Sequence, residues 1–320
     1  MSQRLPTGDI LNEAFQFAYR RWPTLFQFAW LPILLGALLV IGAGYAVFDA
    51  EKLQALQGSP AQGFPNLREI LRVSPVMAGL IWIVLVLGML FLYSGMFASV
   101  YRLAALGEER SGIIQLRFDG PAQRVFWGQL IMTLINYGIL MVAGVAALAA
   151  TGQTLGSVLA ALVEFIAIAG AASVEGAPQP GPEAMQHLAE PLSAIFLACM
   201  FALAPLIYVN VKLTPFLPGS ASENRLLLFG AWRMTSGQFW SILFLLVMFY
   251  IAMIVIFMVY SLGIGFIETM ARLGGAGTLS LIGGLFGIIG FVVRFVFQIY
   301  VMGVQTALPA IVYRRLTTGE

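Results

Sequence analysis

Charge is what this sequence has least of. Of its 320 residues only 10% are Asp, Glu, Lys or Arg, against roughly 25% in soluble domains. Seventeen Lys and Arg against fifteen Asp and Glu leave a formal charge of +2, too small for a basic face that would bind nucleic acid. Lysine is nearly absent: Lys52 and Lys212 are the two, and neither sits in a G-x-x-x-x-G-K-[ST] loop, so no nucleotide phosphate is cradled in that manner. One histidine, His187, cannot form the imidazole cluster of a zinc site. Without a G-x-S-x-G elbow it has no partner for a Ser-His-acid triad either. One cysteine, Cys199, excludes an intrachain disulfide and, inside an apolar run, reads as a small buried packing residue. No cofactor, no metal, no nucleotide and no nucleic-acid partner is expected.

What the chain has instead is apolar length: 60% hydrophobic residues and a mean hydropathy of +0.89. A helix needs roughly 20 apolar residues to cross the hydrocarbon core, and six runs reach that length: Trp22 to Phe48, Pro75 to Leu106, Val125 to Ala150, Pro191 to Phe216, Phe239 to Ile267 and Leu279 to Val312. Lipid offers no partner to backbone N–H and C=O groups, so such runs fold as helices. The fold class is therefore all-α, a polytopic membrane helix bundle with six transmembrane helices, treated as one domain over 1–320. The glycines at the front of the last run (Gly283, Gly284, Gly287, Gly290) leave open a separate half-helix there. With Gly36, Gly42 and Gly44 of the first run, they suit close helix contact. A seventh apolar stretch, Leu155 to Ala172, reads as interfacial or re-entrant, with Glu164 facing water or serving as a proton or cation site. Met1 to Arg21 carries five charges and no continuous apolar core, unlike a cleaved signal.

The positive-inside rule sets the threading. With six spans, twelve of the seventeen Lys and Arg fall on the side of both termini: those before the first span, Arg102, Arg110, Arg117 and Arg124, then Lys212, Arg225 and Arg233, and finally Arg314 and Arg315. Four fall on the other side, and Arg294 lies inside the sixth run. A multi-pass protein of a bacterial-type inner membrane with cytoplasmic N- and C-termini follows. A seventh crossing would put the Arg225/Arg233 loop and the Arg314/Arg315 tail outside. The long non-cytoplasmic segment, Thr151 to Glu190, holds four Glu and no Lys or Arg, with an irregular Pro/Gly stretch from Gly176 to Pro182.

A repeat runs through this arrangement. The second span closes with Ala98-Ser-Val-Tyr-Arg102, the sixth with Ala310-Ile-Val-Tyr-Arg314, and the fourth with the weaker Tyr208-Val-Asn-Val-Lys212. The starts match too: Arg20 with Phe26, Arg124 with Trp127, Arg233 with Phe239. Three two-span units with interfacial lead-in helices, about 1–106, 107–217 and 218–320, account for this spacing. The plainer alternative is that any span entering from the cytoplasm begins with Arg and an aromatic belt residue. For the first lead-in helix, 100° per residue puts Ile10, Leu11, Ala14, Phe15, Phe17 and Ala18 on one arc. Its aromatic side is expected in lipid, with Thr7 and Asp9 as capping residues and Pro23 where the chain turns into the bilayer.

Ala231-Trp-Arg-Met-Thr-Ser-Gly-Gln-Phe-Trp240 before an apolar run, and the terminal Ala310-Ile-Val-Tyr-Arg-Arg-Leu316, resemble the bacterial glycerophosphoryl-diester-phosphodiesterase membrane-domain-like family of integral membrane proteins. The resemblance covers most of the chain as a hydropathy pattern and these two stretches as motifs. It implies a multi-helix, lipid-embedded module. Some members carry a soluble, metal-dependent phosphodiesterase domain; here the motif ends four residues before Glu320, so no catalytic residue carries over.

Polar groups inside the spans are where function would reside. Arg294 and Gln298, at i and i+4, share a face of the sixth span with Gln305. That face would line a cavity in which Arg294 binds an anion such as a lipid phosphate. Alternatively Arg294 snorkels to the headgroups. Glu268, at the end of the fifth span, is the salt-bridge partner available under either reading. Asn136 and Asn210 suit interhelical hydrogen bonds. The leading expectation is a non-enzymatic inner-membrane protein, a lipid-interacting module or a partner subunit of an envelope complex. Its partners would be membrane lipids, with a protein partner or a second copy of the chain. The rival is a small transporter or lipid flippase using the Arg294/Gln298/Gln305 face.

Overall fold

The computed structural model describes residues 5–48, 72–108, 119–172, 182–223, 225–273 and 280–319. They form helices and, among the described residues, no β-strand: α1 (Thr7–Arg20), α2 (Trp22–Val47), α3 (Pro75–Leu106), α4 (Gly120–Thr151), α5 (Leu155–Ala172), α6 (Pro182–Lys212), α7 (Phe216–Ser222), α8 (Leu228–Met234), α9 (Phe239–Leu273) and α10 (Ser280–Thr318). Six of them, α2, α3, α4, α6, α9 and α10, are long and apolar enough to cross a membrane. The glycine-rich front of the last run is not a separate half-helix: α10 is continuous from Ser280. The seventh apolar stretch is the helix α5. The side chains of Glu164 and His187 lie outside the described residues, as does the stretch 173–181.

Short polar residues fix the starts of several helices, and glycines their ends. Ser74 Oγ accepts from Met77 N (3.3 Å) ahead of α3, and Asp119 Oδ1 from Ala122 N (3.3 Å) ahead of α4. Thr154 and Ser157 satisfy each other's backbone N–H at the start of α5, both at 3.2 Å, a reciprocal cap. Gly107 and Gly319 take positive φ (69° and 74°) just past α3 and α10, where a left-handed residue lets the chain leave the helix. α1 departs from expectation: Pro6 precedes it without a side-chain cap, Thr7 is already helical, and Asp9 sits in the first turn, where it complements the helix dipole.

The chain divides into two compact units. The first comprises Met1–Ile33, Leu92–Gly128 and Asn210–Glu320; the second comprises Leu34–Phe91 and Gln129–Val209. In the first unit, α1 lies along α10 and touches α9, while α7 packs on α8 and α10. Ile10, Ala14 and Ala18 of α1 are fully buried in one core with Leu25, Phe28, Val100, Ile242, Ile299 and Leu308. The apolar arc of α1 thus faces protein, and Phe15 and Phe17 are half-buried against the same core rather than turned to lipid. The physical reason is size: Ala14 and Ala18 let two helix backbones approach, and Gly303 of α10 lies opposite, its absent Cβ 3.5 Å from Ala18 Cβ.

In the second unit, α2 and α3 meet where Leu39 Cδ1 lies 3.5 Å from the Cβ position of Gly88. An apolar cavity of about 470 Å³ lies between Ile135, Val142 and Ala146 of α4 and Phe201 and Pro205 of α6. Gly42, Gly44, Gly284 and Gly287 face open space, whereas Gly128, Gly219, Gly230, Gly290 and Gly303 are among the glycines that admit a neighbour closely. A G-x-x-x-G pattern marks a face that can approach another helix, and only the packing selects which glycines do so. Cys199 is exposed on α6, not buried as its apolar surroundings suggest, because the apolar environment of a span includes lipid as well as protein.

Candidate functional site

The sixth span carries a stripe at i, i+4, i+7, i+8 and i+11, which are neighbours on one helical face. Arg294, Gln298, Val301, Met302 and Gln305 line one wall of a cavity of about 450 Å³ in the first unit. The opposite walls come from Phe257 and Tyr260 of α9, Tyr93, Met96 and Phe97 of α3, and Ile33 of α2. The rings are ordered against each other: Tyr260 and Phe297 stack at 3.8 Å and 4°, with Phe257 edge-on to Phe297 at 5.6 Å. Tyr93 and Phe97 lie 6.1 Å apart on α3. The cavity therefore has an aromatic lining and one polar strip.

The strip is headed by an ion pair between Arg294 Nη2 and Glu268 Oε1, which are 54% and 47% exposed. The pair joins α9 to α10 where the two helices come close, the Cβ position of Gly290 lying 3.3 Å from Ile267 Cγ2. Arg314 is twenty residues further along α10, so at 1.5 Å per residue the two arginines are roughly 30 Å apart, about one hydrocarbon thickness. Arg294 and Glu268 thus stand at headgroup level when Arg314 stands at the opposite interface. From there Gln298 is about 6 Å and Gln305 about 16 Å further along the axis. Of the four residues singled out from the sequence, three line one cavity and the fourth, Glu268, holds the arginine at its mouth. Chemically the strip supplies hydrogen-bond donors and acceptors. Among the described residues no group of three His, Cys, Asp or Glu could hold a metal ion.

A second polar cluster closes the other end of the first unit. Glu13 of α1 pairs with Arg314 and, at 3.3 Å, with Arg315. Arg314 Nη1 also donates to Ala104 O (3.3 Å). Arg102 makes the matching contact from α3, donating to Ala221 O (3.0 Å) while gripping Glu108, and Lys212 Nζ reaches Thr235 O at 3.5 Å. Arg102, Lys212 and Arg314 thus each cap a carbonyl of a different segment. Val100 and Val312 are alike in being fully buried, and Tyr101 and Tyr313 are both 6% exposed.

Sequence reasoning missed the aromatic walls and the role of Glu13. The spacing of Tyr93, Phe97 and Tyr101 at four-residue intervals was a signal for the first. Nothing local could reveal a pair separated by 301 positions. No family model, curated protein or solved structure matches the chain.

Proposed function

We propose that this is a non-enzymatic, multi-pass inner-membrane protein that binds a membrane lipid, with both termini cytoplasmic. The observation that carries the reading is the cavity: an aromatic-lined volume of about 450 Å³ with Arg294, Gln298 and Gln305 along one wall. Its dimensions and polarity suit an amphiphile, since a phosphate is a bidentate partner for arginine and an acyl chain needs only an apolar wall. The excess of Lys and Arg on the side of the termini supports the orientation. The resemblance to the phosphodiesterase membrane-domain family supports a lipid-embedded module.

The test is extraction of the protein directly into native nanodiscs, with mass spectrometry of co-purifying lipids and proteins against bulk membrane. A lipid enriched with the wild type and lost with Arg294→Ala is the expected result. A stoichiometric protein partner without lipid enrichment would replace this reading by that of an envelope-complex subunit. Turnover of a lipid by the pure protein, abolished by Arg294→Ala, would overturn the non-enzymatic assignment. Lipid movement in reconstituted vesicles that depends on Gln298 and Gln305 would instead make the protein a flippase.

A further inference from the structure

We infer that the site selects a zwitterionic phospholipid bearing a primary amine, the Arg294 guanidinium taking the phosphate and the Glu268 carboxylate taking the ammonium. This deepens the lipid-binding reading above and rests on it. An isolated Arg294 would prefer an anionic lipid, but the arginine is paired with Glu268 on the neighbouring helix. Among the described side chains the mouth of the cavity therefore carries one charge of each sign. An anionic headgroup that bound Arg294 would bring its negative charge against the Glu268 carboxylate, a like-charge cost.

A phosphoethanolamine headgroup presents both signs on one short arm. Both side chains are about half exposed, so neither is sealed from a headgroup. Arginine has five N–H donors, of which Glu268 is bound through Nη2, leaving other donors for phosphate oxygens. The ammonium offers N–H donors to the acceptor-only carboxylate. A quaternary choline has no N–H to donate to Glu268.

Depth fits as well. Gln298, about one turn beyond Arg294, is placed for the ester region, and the apolar walls of Val301, Met302 and Phe97 continue where the acyl chain would run. Gly290 against Ile267 keeps α9 and α10 close enough for the two charges to serve one ligand.

The experiment is native mass spectrometry of the full-length protein, delipidated in detergent and titrated with an equimolar mixture of phosphatidylethanolamine, phosphatidylglycerol and phosphatidylcholine of identical acyl chains. The wild type is expected to favour phosphatidylethanolamine over each competitor about threefold, which is about 0.6 kcal/mol, the scale of one exposed ion pair. Glu268→Gln should abolish that preference and raise phosphatidylglycerol. Glu13→Gln, the same change of charge at the other polar cluster, should leave it unchanged. A variant-free arm uses the mono- and dimethylated ethanolamine lipids, whose occupancy should fall with each N–H removed. Equal binding of the three headgroups, a phosphatidylglycerol preference in the wild type, or a flat methylation series would overturn the headgroup assignment while leaving a lipid site. Adducts no more abundant on the wild type than on Arg294→Ala would overturn the lipid site itself.

Discussion

Gly303 and Gly219 show how differently a single missing Cβ can matter. At Gly303 the nearest obstacle to a methyl group is Leu25 Cδ1 at 2.6 Å, the end of a rotatable side chain. At Gly219 the obstacles are Leu227 Cδ1 and the Tyr313 ring, both at 2.9 Å, and that ring is fixed by the hydrogen bond its hydroxyl donates to Glu223 (2.9 Å). Replacing glycine by alanine inside a helix gains up to about 1 kcal/mol of propensity, while overpacking costs about 1–3 kcal/mol. Gly303→Ala should therefore shift the unfolding midpoint in detergent only slightly. Gly219→Ala should lower it clearly, since the pinned Tyr313 ring cannot move aside as a leucine methyl can. Equal effects from the two would mean that contact with a pinned ring is no costlier than contact with a leucine methyl.

At the scale of the element, α1 carries the most specific information. Its core-facing residues Ile10, Ala14 and Ala18 are all at 0% exposure, and its outward Glu13 engages Arg314 and Arg315. These side chains are about one-quarter to one-third exposed, so the ion pairs contribute about 1 kcal/mol or less. Burying a charge without a partner costs several times more. Ile10→Asp should accordingly release α1, seen as faster amide hydrogen exchange across Thr7–Arg20 while the middle of α9 keeps its protection. Glu13→Gln should produce a small, salt-sensitive change. If the two variants exchanged alike, the ion pairs and not the apolar face would hold the helix.

Across the whole molecule, large apolar side chains remain outside. Val84, Val142, Leu262 and Phe291 are all about 70% exposed along the spans, surface that water would penalise at about 25 cal/mol per Å² and lipid does not. The protein should stay in the membrane pellet through alkaline carbonate washing and enter solution only with detergent; recovery in the wash would contradict six spans. The spans were legible because lipid imposes one solution on an apolar run, a helix with its own hydrogen bonds. The candidate site was half legible. Arg294, Gln298 and Gln305 stand out as polar residues at helical spacing in a lipid-like run, whereas Phe257, Tyr260 and Phe97 look like any other membrane aromatics.

The sequence alone determined the helical class, the six spans and the polar stripe of the sixth, because each follows from composition and period within one segment. Tertiary structure alone decided that the apolar arc of α1 meets protein instead of lipid. It also decided which glycines are close contacts and that the Arg294–Glu268 pair, already legible in the sequence, adjoins a cavity with aromatic walls. The reason is common to all three: an apolar or polar face states its chemistry locally, but its partner is chosen by packing between segments far apart in the chain.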